Sequence, residues 1–281
     1  MLAALSAVLA QLGRLRVTLV YAAALAAVAV FVARMAPGMQ RHLLSDVSTN
    51  LRNLGDGKVG TLIESAFVNE AGPVYLWLPG LVALLALGEL LWLSRGLAVA
   101  FVVGHVGATL IVAAGIAGAL MAGWVPSSIV DATDVGMSYG AVAVLGTFTA
   151  AIPRRWRAGW SGGWLAVALG SAVISGGDFT NAGHAVALVL GMVVGTRLRT
   201  QPHWTLPRYA LLAVAAGFSY LLMAYGDLTL TATAVLGVIG AGVAQALSMV
   251  AQTNSSAEAS IQSDSHPSGG QSSRSPGINH S

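Results

Sequence analysis

The sequence of 281 residues contains no cysteine and few charged residues, which make up only 9% of the chain. Without cysteine the chain can form no disulfide, thiol nucleophile or thiolate metal site. A soluble domain carries about 25% charged residues. The low charge, together with 56% hydrophobic residues, therefore excludes a soluble globular enzyme, a nucleic-acid-binding domain and a disordered chain.

The apolar residues occur in long runs, and the mean hydropathy is +0.74. A helix that crosses a bilayer needs about 20 predominantly apolar residues, so the apolar content is enough for about eight spans. The runs do not alternate with polar residues, which disfavours a membrane β-barrel. The predicted fold class is therefore all-α, a polytopic membrane helical bundle with a six-span core and two C-terminal spans.

Changes in composition divide the chain into four regions and predict a short interfacial helix at 59–67. Past the last apolar run the chain is rich in Ser, Gln, Asn and Gly, a composition typical of disorder. The four predicted regions are a cytoplasmic segment 1–16, a six-span core 17–200 with a long outer loop 34–72, two added spans 201–250 and a disordered cytoplasmic tail 251–281. The predicted spans are 17–33, 73–93, 97–124, 134–152, 160–175, 180–195, 208–225 and 228–250.

The arginines of the short loops predict the orientation of the chain. With the N-terminus in the cytoplasm, every short cytoplasmic loop carries arginine and the short outer loops carry none, as the positive-inside rule requires. The expected location is a bacterial inner (plasma) membrane, crossed several times, with the N-terminus and the tail in the cytoplasm. The arginines that this orientation places inside are Arg14, Arg16, Arg95, Arg154, Arg155, Arg157, Arg197, Arg199, Arg208 and Arg274.

Ser138 and His184 are the candidate reactive residues. An ionisable group in hydrocarbon costs several kcal/mol, so His184 needs a reason for its position. At a rise of 1.5 Å per residue, Ser138 lies about 6 Å below Asp134 and His184 about 9 Å below Asp178, on spans that run the same way. Similar depth permits a Ser138–His184 dyad, in which the imidazole accepts the hydroxyl proton. The alternatives are a serine bonded to its own helix and a structural histidine.

Small residues four apart allow spans four and six to approach closely, as the dyad requires. They are Gly136 and Gly140 on span four and Gly183, Ala187, Gly191 and Gly195 on span six.

Glu89 and His105 are the other ionisable residues within the spans. Both are predicted in the cytoplasmic half of spans two and three, where they could form a buried structural pair. A proton relay of a transporter is the alternative, but the sequence shows no internal repeat of the kind many transporters have. Too few ligands lie near His184 for a metal site, and no cofactor is predicted.

The order of these motifs resembles the rhomboid intramembrane serine proteases and their diverged actinobacterial relatives. Gly136-Met-Ser138 opens span four, and Asn181-Ala-Gly-His184 opens span six, with a long first outer loop containing a short helix. The resemblance implies that Ser138 attacks a peptide bond and that His184 transfers the proton, without a third acidic residue. It also implies an oxyanion site at the Ser138 backbone N–H, with Gly136, Tyr139 and Asn181 in support.

Two departures from the rhomboid pattern leave a second function open. Active rhomboids usually place a His and an Asn on span two as oxyanion donors, but 73–80 contains neither, and Tyr139 follows the serine in place of the usual glycine. The predicted function is cleavage of membrane-anchored proteins near the outer face of the bilayer. The alternative is a catalytically inactive rhomboid-like protein that binds transmembrane segments of partners. The sequence predicts no nucleic-acid partner and leaves the oligomeric state open.

Overall fold

The structure is a computed structural model that describes residues 13–69, 72–198, 203–225 and 227–264. All regular structure in these ranges is helical, which confirms the predicted all-α class. The α-helices, in chain order, are α1 Arg16–Ala33, α2 Pro37–Val47, α3 Leu51–Gly55, α4 Thr61–Glu64, α5 Val74–Met121, α6 Ser138–Ala151, α7 Arg154–Ile174, α8 Phe179–Gly195, α9 Leu206–Met223 and α10 Asp227–Asp264. Short 3₁₀ turns lie at Ser65–Phe67 and Ser127–Asp131.

Four helices in the described ranges are long and apolar enough to cross a membrane: α1, α5, α9 and the part of α10 at Thr229–Ser255. Helices α6 and α8 are also apolar but shorter. These helices coincide with predicted spans and are compatible with a polytopic membrane bundle.

Helix α5 contains two predicted spans because it breaks at Leu93. This residue has φ 60° and ψ 170°, outside the helical region, and its side chain is exposed. Gly88 before the break lies against Leu97 after it, so the two arms, 74–92 and 94–121, fold back on each other. The break falls where the sequence predicted a turn between spans two and three.

Helix α6 forms the centre of the core. Its side chains are buried from Tyr139 to Phe148, and it packs between the two arms of α5 and α8. Outside this core, α7 and α10 form a close pair, because the Cα of Gly162 approaches the carbonyl of Gly240 and no side chain separates them. Helix α9 lies on the first arm of α5, where the Phe218 ring covers Gly80.

Three predicted limits differ from the structure: the starts of α6 and α7 and the end of α10. Helix α7 begins at Arg154, directly after Pro153, whereas span five was predicted from residue 160. Helix α6 begins at Ser138 and not at Asp134, because backbone hydrogen bonds hold 134–136 in a turn against the outer loop. Helix α10 continues to Asp264, whereas disorder was predicted from residue 251. Extending an existing helix adds one hydrogen bond per residue without a new nucleus, so polar composition alone did not end it. The predicted tail beyond 264 and most of the N-terminal segment lie outside the described residues.

The outer loop contains more helix than the sequence predicted. The short helix expected at 59–67 is present as α4 and the following 3₁₀ turn. Helices α2 and α3 precede it, in a stretch that was interpreted only as polar. The Tyr21 hydroxyl donates to the carbonyl of Ala66 at 2.6 Å, which ties the 3₁₀ turn to α1.

Candidate functional site

Ser138 is the first residue of α6 and is only partly buried. The first backbone bond of this helix runs from the N–H of Ala141 to the carbonyl of Met137 at 3.0 Å. The amides of Ser138, Tyr139 and Gly140 therefore have no acceptor within the helix. Unpaired N–H groups at a helix N-terminus, together with the helix dipole, favour a negative charge at this point.

His184 lies in the second turn of α8 and is 4% exposed. Neither of its ring nitrogens has a hydrogen-bond partner among the described residues. The Tyr139 ring stands edge-on to the imidazole, with ring centroids 5.5 Å apart and an interplanar angle of 81°. The imidazole is thus enclosed by aromatic and apolar groups.

The predicted Ser138–His184 hydrogen bond is not formed in this structure. The residue of α6 that contacts the imidazole is Tyr139, one position after the serine. Its ring occupies the space above Gly183, where even one added carbon would overlap the ring. The two predicted residues thus belong to neighbouring helices at the same level, with the tyrosine ring beside the histidine.

Small residues bring α6 and α8 together over most of their length. A Cβ added at Gly191 would overlap the backbone of Ala143, and one at Gly195 would lie 3.0 Å from the carbonyl of Thr147. Gly146 makes the same kind of approach from the α6 side, to the carbonyl of Leu188. Gly146 is not part of the predicted glycine pattern, because its spacing of six from Gly140 differs from the four-residue spacing.

The other predicted packing and support residues have mixed positions. Ala187 is fully buried on α8. Gly140 lies beneath the Phe101 ring of α5, and a Cβ added at Gly140 would lie 2.6 Å from that ring. Gly140 therefore does not contribute to the approach of α6 and α8. Gly136 precedes the helix with φ +126°. It cannot share a helical face with Gly140, as the sequence analysis assumed, but its positive φ turns the chain into Ser138.

Asn181 does not reach the serine in this structure. Its side-chain amide donates to the hydroxyl of Ser175 at 2.9 Å, across the turn between α7 and α8. The Asn181 side chain therefore makes no contact here that would support its predicted role at an oxyanion.

A chain of hydrogen bonds that the sequence analysis missed holds the turn before Ser138. His105 Nε2 bonds the hydroxyl of Ser65 at 3.2 Å, and the Thr49 hydroxyl lies 2.9 Å from that of Ser65. The carbonyl of Ser65 accepts the N–H of Gly136 at 2.9 Å. The outer loop therefore positions the start of α6. A serine 40 residues away from a histidine carries no local signal of this contact.

The predicted Glu89–His105 pair is wrong. The Glu89 carboxylate accepts the N–H groups of Val17 and Thr18 at 3.0 and 2.9 Å, and the Ser94 hydroxyl at 2.6 Å. It caps the start of α1, whereas His105 lies beside the first turn of α6, since a Cβ added at the preceding Gly104 would lie 3.2 Å from the carbonyl of Tyr139. The 3₁₀ turn at Ser65–Phe67 lies deep enough in the bundle for the Ser65 hydroxyl, and not Glu89, to be the partner of His105.

Two aspartates lie in the segment before α6, and their environments differ. Asp134 is partly buried, and burial raises its pKa from 3.8 to about 6. Its backbone is fixed by the Ser48 hydroxyl and by the N–H of Thr49. Asp131 is exposed, and its hydrogen bonds and ion pair with Arg52 lower its pKa.

Comparison with known proteins identifies one family. A family model described as rhomboid-like protein matches residues 13–203. This range begins before α1 and ends after α8, so it covers the region 17–200 predicted as the core and leaves α9 and α10 outside it. No curated protein and no solved structure matches the chain.

Proposed function

Because the chain belongs to the rhomboid-like family of membrane proteins, we propose that it is an intramembrane serine protease with Ser138 as nucleophile and His184 as general base. The substrate class is membrane-anchored proteins, cleaved near the outer face of the bilayer. The proposal places the N-terminus and tail in the cytoplasm of a bacterial cell, as the arginine distribution favours.

The observation that carries this proposal is the unpaired imidazole of His184. A buried polar group without a partner loses about 1 to 3 kcal/mol of hydrogen bonding, and a histidine kept for packing usually bonds a carbonyl or a hydroxyl. Both nitrogens of His184 lack a partner among the described residues, although Ser138 starts the adjacent helix. A base reserved for a transient proton explains this cost, and ionisable groups inside membranes are commonly functional.

The chemistry follows the serine–histidine scheme. The Ser138 Oγ bonds the carbonyl carbon of the scissile peptide while its proton passes to the imidazole of His184. The C–N bond then breaks, and the imidazolium returns the proton to the leaving amine. Water then attacks the carbonyl carbon of the acyl-enzyme while its proton passes to His184. The imidazolium returns this proton to the Ser138 Oγ as the bond from that oxygen to the acyl group breaks.

The N-terminus of α6 supplies donors for the oxyanion. The amides of Ser138, Tyr139 and Gly140 precede the first helical bond, and one such donor is worth about 3 kcal/mol in other hydrolases. These amides stand in for the His and Asn donors that 73–80 lacks. Closing the dyad requires the Tyr139 ring to leave the imidazole, so substrate binding has to displace it.

Labelling with a fluorophosphonate tests the proposal, because this probe acylates a serine whose hydroxyl is activated. We expect the purified wild-type protein to be labelled, and both Ser138→Ala and His184→Ala to lose the label. Ser171→Ala is the matched control, since this buried serine of α7 also has a hydroxyl without a partner among the described residues. Its labelling should equal that of the wild type.

The second candidate is an inactive rhomboid-like protein that binds transmembrane segments of partners. The Tyr139 ring against His184 favours it. If neither the folded wild-type protein nor a folded Tyr139→Ala variant is labelled, the protease proposal is rejected and this candidate remains. Association with partner helices would then be indifferent to Ser138→Ala.

A further inference from the structure

A large cavity outside the candidate site lies between α7, α9 and α10. Its volume is about 970 Å³, near the upper end of the range for small-molecule sites. The walls are almost entirely apolar and include Trp160 and Trp164 of α7, Leu212 of α9 and Val238 of α10. The family match ends before α9, so this cavity exists only because of the two added helices.

The cavity lies between a closely packed helix pair, α7 and α10, and a more distant helix, α9. Helices α7 and α10 touch through glycines, with the carbonyl of Gly240 2.7 Å from a Cβ added at Gly162. Helix α9 stands away from this pair: Gly217 on α9 and Gly242 on α10 both face space in which no described atom lies within 4 Å of an added Cβ. A flexible apolar chain fits such a space without displacing protein atoms.

One end of the cavity is basic and aromatic. Arg155 lines it there, and its guanidinium lies 5.8 Å from the centre of the Trp156 ring. The ion pair found among the described residues joins Arg52 to Asp131 in the outer loop, so no described carboxylate neutralises Arg155. Tyr209 and Trp160 line the same end, and aromatic side chains of this kind collect at the level of lipid headgroups.

We propose that the cavity between α7, α9 and α10 binds one anionic phospholipid, with an acyl chain in the apolar space and the phosphate beside Arg155. Charge complementarity selects the lipid class, because basic pockets between transmembrane helices on the cytoplasmic side bind anionic headgroups. The apolar walls favour a lipid over a free anion, because free phosphate has no apolar chain that could pack against Trp164, Leu212 and Val238.

Native mass spectrometry of the purified full-length protein tests this site. The protein is incubated with equal amounts of phosphatidylglycerol and phosphatidylcholine, and retained lipid is counted. We expect one tightly retained phosphatidylglycerol. Gly217→Leu fills open space in the cavity and should abolish retention, whereas Gly118→Leu, an exposed helical glycine on α5 with equally open surroundings, should not.

The headgroup contact has its own pair of variants. Removing one arginine near anionic lipid costs about 1 kcal/mol, so Arg155→Gln should lower the preference for phosphatidylglycerol about fivefold while lipid is still retained. Arg154→Gln removes the same charge from the neighbouring residue, which does not line the cavity, and should preserve the preference. Equal retention of both lipids by the wild type, equal effects of Gly217→Leu and Gly118→Leu, or displacement of the lipid by inorganic phosphate would overturn the proposal.

Discussion

The side chain of α6 that lies against His184 is Tyr139, whereas the sequence predicted Ser138 there. The ring fits because Gly183 has no side chain beneath it. Both nitrogens of the imidazole lack a hydrogen-bond partner in the described part of the chain. The imidazole could therefore accept a hydrogen bond from any donor that takes the place of the Tyr139 ring. Single residues therefore decide which side chain lies against His184.

We predict that Tyr139→Ala accelerates fluorophosphonate labelling of Ser138. Removing the ring clears the approach to His184, and a gain on the order of tenfold corresponds to about 1.4 kcal/mol of barrier. Loss of a buried aromatic side chain costs about 3 kcal/mol of stability, so labelling rates are compared only between folded samples. Tyr139→Phe keeps the ring and should label at the wild-type rate; faster labelling of this control would show that the ring is not the block.

Asp134 gives the stability of the protein a pH dependence. Its pKa is about 6 in the folded protein and 3.8 ordinarily, because burial disfavours the carboxylate. Folding therefore favours the protonated form, and the free energy of unfolding falls as the pH rises from about 4 to about 6, by up to about 3 kcal/mol.

Asp134→Asn should remove this fall and raise the melting temperature at pH 7, measured by thermal unfolding in detergent. Asp131→Asn is the control. The pKa of Asp131 is lowered by Arg52, so its contribution is lost as the pH falls and not as it rises. A pH profile of Asp134→Asn that matches the wild type would contradict the assignment to this carboxylate.

Helix α6 shows how one element positions a site. It is buried from its first turn and has a fixed level because α8 approaches it through glycine while the outer loop holds the turn before it. The same contacts that make it the centre of the core thus place Tyr139, in its first turn, beside His184.

Gly191→Ala should disturb this arrangement, since the added carbon would overlap the backbone of Ala143, which cannot rotate away. Overpacking of this kind costs about 1 to 3 kcal/mol, and the shift between α6 and α8 should also lower labelling of Ser138. Gly118→Ala adds the same carbon in open surroundings and should gain up to about 1 kcal/mol of helix propensity. Thermal unfolding of the two variants in one detergent compares them directly.

At the scale of the whole molecule, one end of the bundle gathers the short-loop arginines. Arg16 donates to the Ser94 hydroxyl at 3.2 Å, and Arg208 to the carbonyl of Leu90 at 3.3 Å. Trp204 donates to the carbonyl of Ala151 at 3.2 Å, close to the start of α7. These bonds join the start of α1, the break in α5, the end of α6 and the start of α9, and the positive-inside rule predicts that this end faces the cytoplasm.

Single cysteines test this orientation, because the natural chain has none and gives no background. Lys58→Cys in the outer loop should react with a membrane-impermeant maleimide in intact cells. Thr253→Cys, near the end of α10, should react only after the membrane is opened. Labelling of Thr253→Cys in intact cells would reverse the predicted orientation or require an odd number of crossings.

The sequence predicted the fold well where hydrophobic runs carry the information. The all-α class, the turn near Leu93 and the short helix at 59–67 agree with the structure, since each depends on residues close in the chain. The start of α6 was misplaced because Gly136 and Ser65 meet through a backbone bond that no side-chain pattern announces. The pairing of Glu89 was wrong for a related reason: its partners are mainly backbone amides of α1, which every sequence offers.

The amino-acid sequence alone is enough to predict an all-α membrane bundle of the rhomboid-like type. Long apolar runs must satisfy their backbone internally in lipid, and the order of the Ser138 and His184 motifs is a property of the chain. Three features become visible only in the folded protein: the side chain that lies against His184, the residues that hold the turn before Ser138, and the space that α9 and α10 leave. These depend on distances between helices, and such distances follow from how glycine faces, aromatic rings and loop hydrogen bonds fit together in three dimensions.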